Sequence, residues 1–420
     1  MSQVELMAES TGITQMDSSM YDVAVIGGGM VGASIAYHCA GLGMRTALVE
    51  KTHLAAAGSG GNFGLVLPST GRYDVPFVLK CEHEGVRRLE NLTDELDFDI
   101  EYRFAHGYCL LCAPEEVEMF SVHRDHFVAA GFGERMITPS ELQECEPNLY
   151  VGPETIAALQ TDEAVLNPMR LTLGFGRGAK QHGADILSYT QIIGFKHTAN
   201  KVTHLVTQGG DIQAGQVIIA AGPWSRQLAL MLDISLPEYY IQAEAVVTEP
   251  LPPLLNGFAY WGNVERIPKE VELANESLTV GWESRGEDCL FESYDFGTVQ
   301  TARGNMLLGQ MSYITPPFDW RVSHEVMPGS AREAMRMLPQ LKKAKILRSW
   351  RSPAPFTPDH MPLLGKLDGF DNLYIASGLQ SAVSGCPWAG AYMADLVGGR
   401  EVPLEMELYS AGRFPQPVAV

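Results

Sequence analysis

The amino-acid sequence predicts an α/β and α+β fold, in which a discontinuous Rossmann-type domain carries a second, mainly antiparallel-sheet domain. Three observations support this prediction. A glycine-rich turn near the N-terminus joins a short apolar run to a helical segment. Two later apolar runs, within 216–225 and 371–397, also end in glycine-rich turns. Alternating strand patterns are frequent in residues 229–344, as is typical of an antiparallel sheet.

The first turn lies in YDVAVIGGGMVGASIAYHCAGLGMRTALVE, residues 21–50. YDVAVI is a short apolar run typical of a strand that is covered on both faces. MVGASIAYHCAGLG has apolar residues at helical spacing, and its glycines can end a helix. RTALVE is a second apolar run, and it ends on Glu50. The segment is therefore predicted to be a βαβ unit.

The spacing of three glycines and one acid indicates a dinucleotide site. Gly27 permits a tight turn, Gly29 lets a pyrophosphate approach the backbone, and Gly32 lets the helix pack closely on the strand. The amides at the helix N-terminus then face the phosphates. Glu50 can accept hydrogen bonds from a ribose diol and would repel a 2′-phosphate, which disfavours NADP. The motif alone does not separate NAD from FAD.

The segment after Glu50, KTHLAAAGSGGNFGLVLPS, is rich in glycine and serine where an NAD domain would have another crossover helix. Such a backbone could pass close to a flat ring system, although a flexible surface loop is the alternative. Two later strands end in similar turns, in QVIIAAGPWS and in NLYIASGLQS. The candidate cofactor-binding residues in these three segments are Lys51, Ser59, Gly61, Asn62, Gly64, Ala221, Gly222, Trp224, Gly378, Leu379, Gln380 and Ser381.

Taken together, these segments and TPDHMPLLG resemble the D-amino-acid-oxidase-like superfamily of FAD oxidoreductases, which includes glycine and sarcosine oxidases. The resemblance runs from about residue 21 to residue 397. VVTEPLPPLL and ARGNMLLGQ are most similar to opine oxidase β subunits, hydrogen cyanide synthase and proline or hydroxyproline dehydrogenase subunits. The resemblance implies an extended FAD, with its ADP part on Gly27, Gly29, Gly32 and Glu50. The isoalloxazine would lie near 59–64 and 378–381.

The strand patterns and the resemblance divide the chain into a discontinuous FAD-binding domain and a substrate domain. The predicted boundaries are 1–19 for a flexible N-terminal arm; 20–76, 155–228 and 345–400 for the FAD-binding domain; 77–154 and 229–344 for the substrate domain; and 401–420 for a C-terminal tail.

Composition excludes several classes of partner and site. The formal charge of −20 argues against nucleic acid and anionic membranes. No apolar stretch is long enough for a membrane span, and the N-terminus lacks a secretion signal. Seven cysteines without regular spacing favour reduced thiols and a cytoplasmic location, with peripheral membrane contact only through partners. Cys109 and Cys112 point to opposite faces of a predicted strand, and the eleven histidines form no metal motif, so we expect no metal site.

The sequence offers no acid–base triad, and no catalytic residue is assigned. Relatives carry a histidine-containing run where this chain has Gln380, and an arginine that clamps the substrate carboxylate where this chain has Ala354. Arg351 could replace that clamp through a bidentate contact, or it could be a surface or interdomain arginine. Tyr240 and Tyr260 are further candidates for the substrate side, with core packing as their alternative role.

The resemblance implies an FAD-dependent dehydrogenase that oxidises the C–N bond of a secondary amino acid, in particular an opine of the octopine or nopaline type. Hydride transfer to flavin N5 and hydrolysis of the imine would yield a 2-oxo acid and an amino acid. The alternatives are a dehydrogenase of D-amino acids, proline, hydroxyproline or glycine, a catalytically silent flavin subunit, and an NAD dehydrogenase. A second flavoprotein or electron-transfer subunit is expected, and FMN or an iron–sulfur cluster would come only with such a partner.

Overall fold

A computed structural model describes residues 20–67, 74–262, 291–314 and 321–414, together with residues 270 and 272. The predicted N-terminal arm, 1–19, and the end of the predicted tail, 415–420, lie outside the described residues. The strands are β1 Tyr21–Ile26, β2 Thr46–Val49, β3 Leu65–Val66, β4 Arg103–Leu111, β5 Glu134–Ile137, β6 Ala157–Val165, β7 Asp185–Leu187, β8 Ile192–His197, β9 Val202–Thr207, β10 Ile212–Ile219, β11 Tyr239–Pro250, β12 Phe258–Trp261, β13 Phe291–Gln300, β14 Asn305–Ile314, β15 Ile346–Phe356, β16 Leu363–Lys366 and β17 Leu373–Ser377.

Helices of both α and 3₁₀ type connect and cover these strands. The α-helices are α1 Met30–Gly41, α2 Pro76–Glu90, α3 Leu92–Glu95, α4 Pro114–Ala129, α5 Pro139–Cys145, α6 Pro168–Gln181, α7 Ser225–Leu230, α8 Val326–Met337 and α9 Ala382–Val397. Short 3₁₀ helices cover Gly222–Trp224, Pro339–Lys343, Leu404–Tyr409 and Ala411–Arg413.

The first sheet has the order β16-β17-β10-β1-β2-β7, and β9 and β8 extend it beside β10. The strands β17, β10, β1, β2 and β7 run parallel, so their carboxyl ends meet at one edge. Alternation along β1 puts Val23 and Val25 in one apolar cluster and Ala24 and Ile26 in another. Both faces are therefore buried, which explains why YDVAVI is an almost continuous apolar run.

Helices α1, α2, α6 and α9 cover one face of the first sheet. Ile35, Leu89, Phe175 and Met393, one from each of these helices, belong to a single apolar cluster, and each is buried. The other face is covered by α7 and by the β8–β9 hairpin. Burial of large apolar side chains on both faces fixes the strands in place and leaves the carboxyl-end turns at the edge of the sheet.

The second sheet has the order β15-β11-β14-β13-β12-β4-β6-β3, with β5 also paired to β6. Its strand pairs are antiparallel except β12 with β4, which is parallel. The α/β and α+β architecture predicted from the sequence is therefore present, with one largely parallel sheet and one largely antiparallel sheet.

The sheets divide the chain differently from the predicted domain boundaries at four elements. The strands β3, β6 and β15 pair within the second sheet, although their residues were assigned to the FAD-binding domain. Helix α2 was assigned to the substrate domain, yet its Val78 and Leu89 pack in the cluster that covers the first sheet. These assignments depend on pairing between residues far apart in the chain, which changes in local pattern do not reveal.

Two expectations from composition concern the membrane and the cysteines. Within the described ranges, no helix has both the length and the apolar character needed to cross a membrane. Cys109 is buried within β4, whereas Cys112 follows the strand and is half-buried, and both are free thiols. Burial raises the pKa of Cys109 well above its ordinary value, which keeps this thiol protonated and unreactive.

Candidate active site

One cavity of about 740 Å³ opens at the carboxyl ends of the parallel strands and continues under the second sheet. Four neighbouring strands, in the order β2, β1, β10 and β17, each end at its wall. Ligands in open α/β sheets bind outside the carboxyl ends of the strands, where the chain directions diverge. The cavity therefore occupies the position at which this architecture binds a dinucleotide.

The first turn leaves no room for side chains. A Cβ atom built on Gly27 would lie 2.4 Å from the carbonyl oxygen of Ala220, and one on Gly32 would lie 2.0 Å from that of Gly27. Gly27 also has a φ of 117°, which favours glycine. Gly29 is the N-cap of α1, and the Ser59 hydroxyl accepts a hydrogen bond from the Met30 amide at 2.9 Å. This backbone is shaped as a phosphate site requires, with the start of α1 at the cavity wall.

The Glu50 carboxylate is held in place at the end of β2. One oxygen accepts a hydrogen bond from the Gly28 amide at 2.7 Å, and the other accepts from the amide and the hydroxyl of Thr52, both at 2.8 Å. Because a carboxylate oxygen has two lone pairs, the oxygen that accepts from Gly28 can accept a further hydrogen bond. Next to Glu50, the Lys51 ammonium lies 3.1 Å from the centre of the Trp224 ring, and both residues line the cavity.

Residues 51–62 form turns rather than a crossover helix and line the middle of the cavity. The carbonyl of Gly61 accepts a hydrogen bond from the Trp350 indole at 3.0 Å, which ties this segment to β15. Asn62 accepts a hydrogen bond from the Gly64 amide at 2.7 Å. Gly64 itself is not among the described lining residues. Its φ of 76° favours glycine, and a Cβ there would lie 1.9 Å from the Leu166 carbonyl oxygen, so Gly64 serves the shape of the loop.

The N-terminal turn of α9 forms the opposite wall. Gly378, Leu379, Gln380 and Ser381 all line the cavity, and Gly378 has a φ of 72°. His360, which we did not single out from the sequence, is buried beside them and contacts Gln380. The sequence signal for His360 is its place in TPDHMPLLG, a segment of the family resemblance that comes shortly before the predicted cofactor turn at residues 378–381. His360 supplies an imidazole to this wall, where the histidine of the family run is missing.

The three candidate substrate residues differ in where the structure places them. Tyr260 lines the cavity, and burial raises the pKa of its hydroxyl well above the usual value, so the phenol stays protonated. Tyr240 is buried in a separate apolar cluster with Ile241 and Ile314 and is not among the described lining residues. This position fits core packing, the alternative role given above for Tyr240.

Arg351, which the sequence offered either as a substitute carboxylate clamp or as an interdomain arginine, is not among the described lining residues of the cavity. It lies directly opposite Glu244 across the β11–β15 pair, and its Nε donates to the Glu244 carboxylate at 2.7 Å. Ser352 and Ala354 line the cavity instead. Trp350 and Pro353, on either side of Arg351 and Ser352, also line the cavity, so Arg351 is the exception in this part of β15.

A group of polar residues that we did not single out from the sequence lies where the cavity continues along β5, β6 and α4. His123, Glu134, Thr161 and Glu163 all line it, and the side chains of His123 and Glu134 are 7% and 3% exposed. Glu134 lies opposite Thr161 through the register of β5 with β6, which the sequence does not reveal. The alternating pattern of β6 could have indicated only that Thr161 and Glu163 share a face. Among the described residues, no group of histidine, cysteine, aspartate and glutamate is suited to hold a metal ion.

The cavity wall suits FAD in shape and chemistry. A side chain on Gly27 or Gly32 would fill the first turn, the start of α1 adjoins it, and Glu50 stands at the end of the adjacent strand. A second glycine-rich turn and the start of α9 lie along the same cavity. Together the fold and the cavity define a dinucleotide-binding protein that has a second sheet over its ligand site.

Comparison with known protein families identifies this class more closely. The model described as "DAO: FAD dependent oxidoreductase" matches residues 22–396, which is most of the chain. The protein therefore belongs to the DAO family of FAD-dependent oxidoreductases, and the resemblance inferred from the sequence motifs is confirmed at the level of the family. FAD is accordingly its cofactor.

Three curated relatives share this extent of similarity. Mitochondrial dimethylglycine dehydrogenase of Mus musculus is 24% identical over 94% of this chain and 44% of its own length. Glycine oxidase of Geobacillus kaustophilus is 26% identical over 95% of this chain and 99% of its own length. Sarcosine oxidase subunit beta of Rhodobacter capsulatus is 25% identical over 94% of this chain and 89% of its own length. The chain spans less than half the length of the dimethylglycine dehydrogenases that it matches.

Among solved structures, L-proline dehydrogenase from P. horikoshii superimposes with a TM-score of 0.80 at 24% identity, covering 94% of this chain and 98% of that one. This likeness confirms the fold class predicted from the sequence.

Proposed function

We propose that this chain is an FAD-dependent dehydrogenase that oxidises the C–N bond of a secondary amino acid, an opine in particular. An opine is an amino acid whose nitrogen carries a second, carboxylate-bearing arm. The observation that carries the proposal is the continuity of the cavity, which joins the glycine-rich dinucleotide turns to the second sheet. A substrate under that sheet would lie against the ring end of an extended FAD.

The residues along the cavity have distinct roles in this scheme. Gly27, Gly29 and Gly32 would admit the diphosphate, and Glu50 would accept hydrogen bonds from the ribose. The backbone amides from Gly378 to Ser381, just before α9, would stabilise negative charge on the ring carbonyls. When bound, FAD supplies the oxidation by taking a hydride from the carbon attached to nitrogen, which leaves an imine that water splits into a 2-oxo acid and an amino acid.

The shape and lining of the substrate region favour a large, N-substituted substrate. Ala354 stands at the wall where a clamping arginine is expected from the family resemblance, and Arg351 is paired with the buried Glu244. Among the described lining residues, Lys51 is the one lysine or arginine, and it lies at the Glu50 end. A simple free amino acid would therefore lack a cationic clamp here, whereas a substrate with additional polar arms has further points of attachment.

The named activities of the relatives support amine oxidation in general. Dimethylglycine dehydrogenase, glycine oxidase and sarcosine oxidase are named for glycine or N-methylated glycines. They leave dehydrogenation of glycine, proline, hydroxyproline or a D-amino acid as the second candidate function, and a silent flavin subunit as the third. One relative is named as a beta subunit. This supports our further proposal that the chain works in a hetero-oligomer and passes electrons to a partner.

Anaerobic mixing of the FAD-loaded protein with a substrate panel tests the proposal. The panel holds an opine, glycine, proline, hydroxyproline and a D-amino acid, and the loss of the visible flavin absorption is followed. We expect the opine to reduce the flavin fastest and to yield equal amounts of a 2-oxo acid and an amino acid. Faster flavin reduction by one of the other compounds would identify that compound, rather than the opine, as the substrate. No reduction by any of them would indicate a silent subunit.

A further inference from the structure

The connecting turn, residues 357–362, joins the two sheets beside the cavity. It leads from the end of β15 in the second sheet to the start of β16 in the first sheet. His360 lies in this turn, lines the cavity and is 5% exposed. Its imidazole contacts the side-chain amide of Gln380, in the glycine-rich turn before α9. The position of the connecting turn therefore determines how His360 and Gln380 face the cavity.

The connecting turn holds the backbone of His360 in a strained conformation. The φ of His360 is 58°, in the left-handed region that favours glycine, and such residues persist only where the surrounding structure fixes them. Here the His360 amide donates to the Thr357 carbonyl at 3.1 Å, and the Thr357 hydroxyl donates to the Met361 carbonyl at 2.6 Å. The Asp359 carboxylate accepts a hydrogen bond from the Met361 amide at 3.1 Å. Asp359 is thus part of the network that closes the turn around His360.

Arg413 fixes this network from another part of the chain. Its Nε donates to one carboxylate oxygen of Asp359 at 2.7 Å. Its Nη2 donates to the other oxygen at 3.0 Å and to the Met361 carbonyl at 2.7 Å. The side chains of Arg413 and Asp359 are 13% and 23% exposed. A bidentate pair that is largely shielded from water is stronger and more directional than an exposed ion pair, so it restrains the connecting turn.

The segment that carries Arg413 is attached to the first sheet by contacts of its own. Ala411 and Phe414 pack against the apolar cluster that includes Leu363 of β16. The Arg413 guanidinium lies 4.6 Å from the centre of the Phe414 ring, and its Nη1 donates to the Ser410 carbonyl at 3.0 Å. Arg413 therefore links a segment packed on the first sheet to the connecting turn.

We propose that Arg413 is a positioning residue for the cofactor, which holds the connecting turn so that His360 stands against the ring end of FAD. The same turn touches the adjoining wall, because a Cβ built on Gly378 would lie 3.1 Å from the methyl carbon of Thr357. Loss of the ion pair lets His360 relax from its left-handed conformation and move away from this wall. The inference goes beyond the proposed function, since it concerns the cofactor whichever amine is oxidised.

The variant Arg413→Met tests the proposal, because it removes the charge and keeps an unbranched side chain over Phe414. The FAD-free protein is titrated with FAD by flavin fluorescence, and the visible circular dichroism of the bound flavin is recorded. We expect the dissociation constant for FAD to rise about fivefold to thirtyfold and the dichroism band to change shape. Arg400→Met is the matched control, since it breaks an exposed ion pair with Asp395 beyond the other end of α9. It should change neither measurement.

A double-mutant cycle shows whether Arg413 acts through His360. His360→Asn removes the imidazole, and asparagine tolerates a left-handed φ, so this variant keeps the turn. Alone, it should also weaken FAD binding. Combined with Arg413→Met, it should bind FAD within about twofold of the weaker single variant, because both changes remove the same contact. If the two factors multiply in the double variant, Arg413 does not act through His360 and the proposal is overturned.

A purely structural role of Arg413 would give a different result. Arg413→Met would then lower the denaturant midpoint of the FAD-free protein and leave the FAD affinity and the flavin dichroism unchanged, which would also overturn the proposal. If Arg413→Met does not fold, Arg413→Lys replaces it, since lysine keeps the charge and loses the bidentate contact. It should shift both measurements in the same direction by a smaller factor, and no shift would overturn the proposal. None of these measurements uses a substrate, so failure of the proposed function leaves them unaffected.

Discussion

Gly32 in α1 lies against the backbone of Gly27, so closely that a Cβ at residue 32 would stand 2.0 Å from the Gly27 carbonyl oxygen. No side-chain rotation relieves this contact, because the obstructing atom belongs to the main chain. The start of α1 can approach β1 and the diphosphate position only while residue 32 is glycine. The turn, the helix and the cofactor site therefore depend on one another through this contact.

Gly32→Ala is predicted to lower the free energy of unfolding by about 1–3 kcal/mol and to reduce FAD retention. Denaturant unfolding and the flavin content of the purified protein are the measurements. Gly41→Ala is the matched control, since a Cβ at that end of the same helix would meet only the His182 ring, at 3.8 Å. The control should be as stable as the unmodified protein or slightly more stable. Full FAD content in Gly32→Ala would contradict the role of this contact.

Glu50→Gln is predicted to weaken FAD binding by about tenfold to a hundredfold. Glutamine has only one acceptor oxygen, so it loses either the hydrogen bond from the Gly28 amide or those from Thr52, together with acceptor capacity for the ribose. Titration of the FAD-free protein with FAD, followed by flavin fluorescence, gives the affinity. Asp185→Asn on β7 changes an exposed carboxylate that bonds Tyr21 and should leave the affinity unchanged. Equal affinities in both variants would refute this role of Glu50.

Arg351→Ala is predicted to lower the free energy of unfolding by about 3–5 kcal/mol, because it leaves the fully buried Glu244 carboxylate without its main counter-charge. Chemical denaturation measures the loss. Arg88→Ala, which removes an exposed helical pair with Glu84, should cost less than about 1 kcal/mol. A stable Arg351→Ala protein that needs much more substrate for flavin reduction would restore Arg351 as the carboxylate clamp.

The pH dependence of stability is predicted to include a contribution from Glu238. Its side chain is fully buried before β11, and burial raises the pKa of this carboxyl from 4.5 to about 7, opposed by a hydrogen bond with Ser377 and by the charge of Arg226. The folded state therefore binds more protons than the unfolded state between these values. The stability that protonated Glu238 contributes is complete below pH 4.5 and is lost as the pH rises through 7.

Glu238→Gln should accordingly gain stability over the unmodified protein as the pH rises from 4.5 to 7, by up to about 1.4 kcal/mol per pH unit, and the difference should then level off. Denaturant midpoints measured from pH 4.5 to pH 8.5 test this. The exposed Glu115→Gln should follow the curve of the unmodified protein throughout. A difference that grows toward acid pH would show that the sign of the Glu238 contribution is opposite.

Local sequence pattern was sufficient to predict the βαβ unit and the turns at the strand ends. The glycine spacing around Gly27, the apolar run of β1 and the acid at Glu50 all lie within thirty consecutive residues. The structure brings those turns to one cavity because parallel strands place their carboxyl ends together. The domain boundaries were harder to predict, since β6 and β15 join a sheet whose other strands lie elsewhere in the chain.

In the substrate region, the residues that meet are determined by strand register, which the sequence did not specify. Arg351 is engaged by Glu244, which is 107 residues away along the chain and lies opposite it only through the β11–β15 register. Glu134 and Glu163 become neighbours only because β5 pairs with β6, through the register of Glu134 with Thr161. His360 reaches Gln380 because TPDHMPLLG turns back beside α9 with His360 at a φ of 58°. None of these relationships is a short-range pattern.

The central claim is that FAD lies extended along this cavity, with its diphosphate on the first turn and its ring under the second sheet. A crystal structure of the purified protein tests it most directly. We predict one FAD per chain, with its phosphates beside Gly27 and Gly29, a ribose at Glu50, and its ring between residues 59–62 and the start of α9. A structure of the FAD-supplemented protein in which side chains fill the space beside the first turn, or in which the ring lies outside the second sheet, would contradict this account.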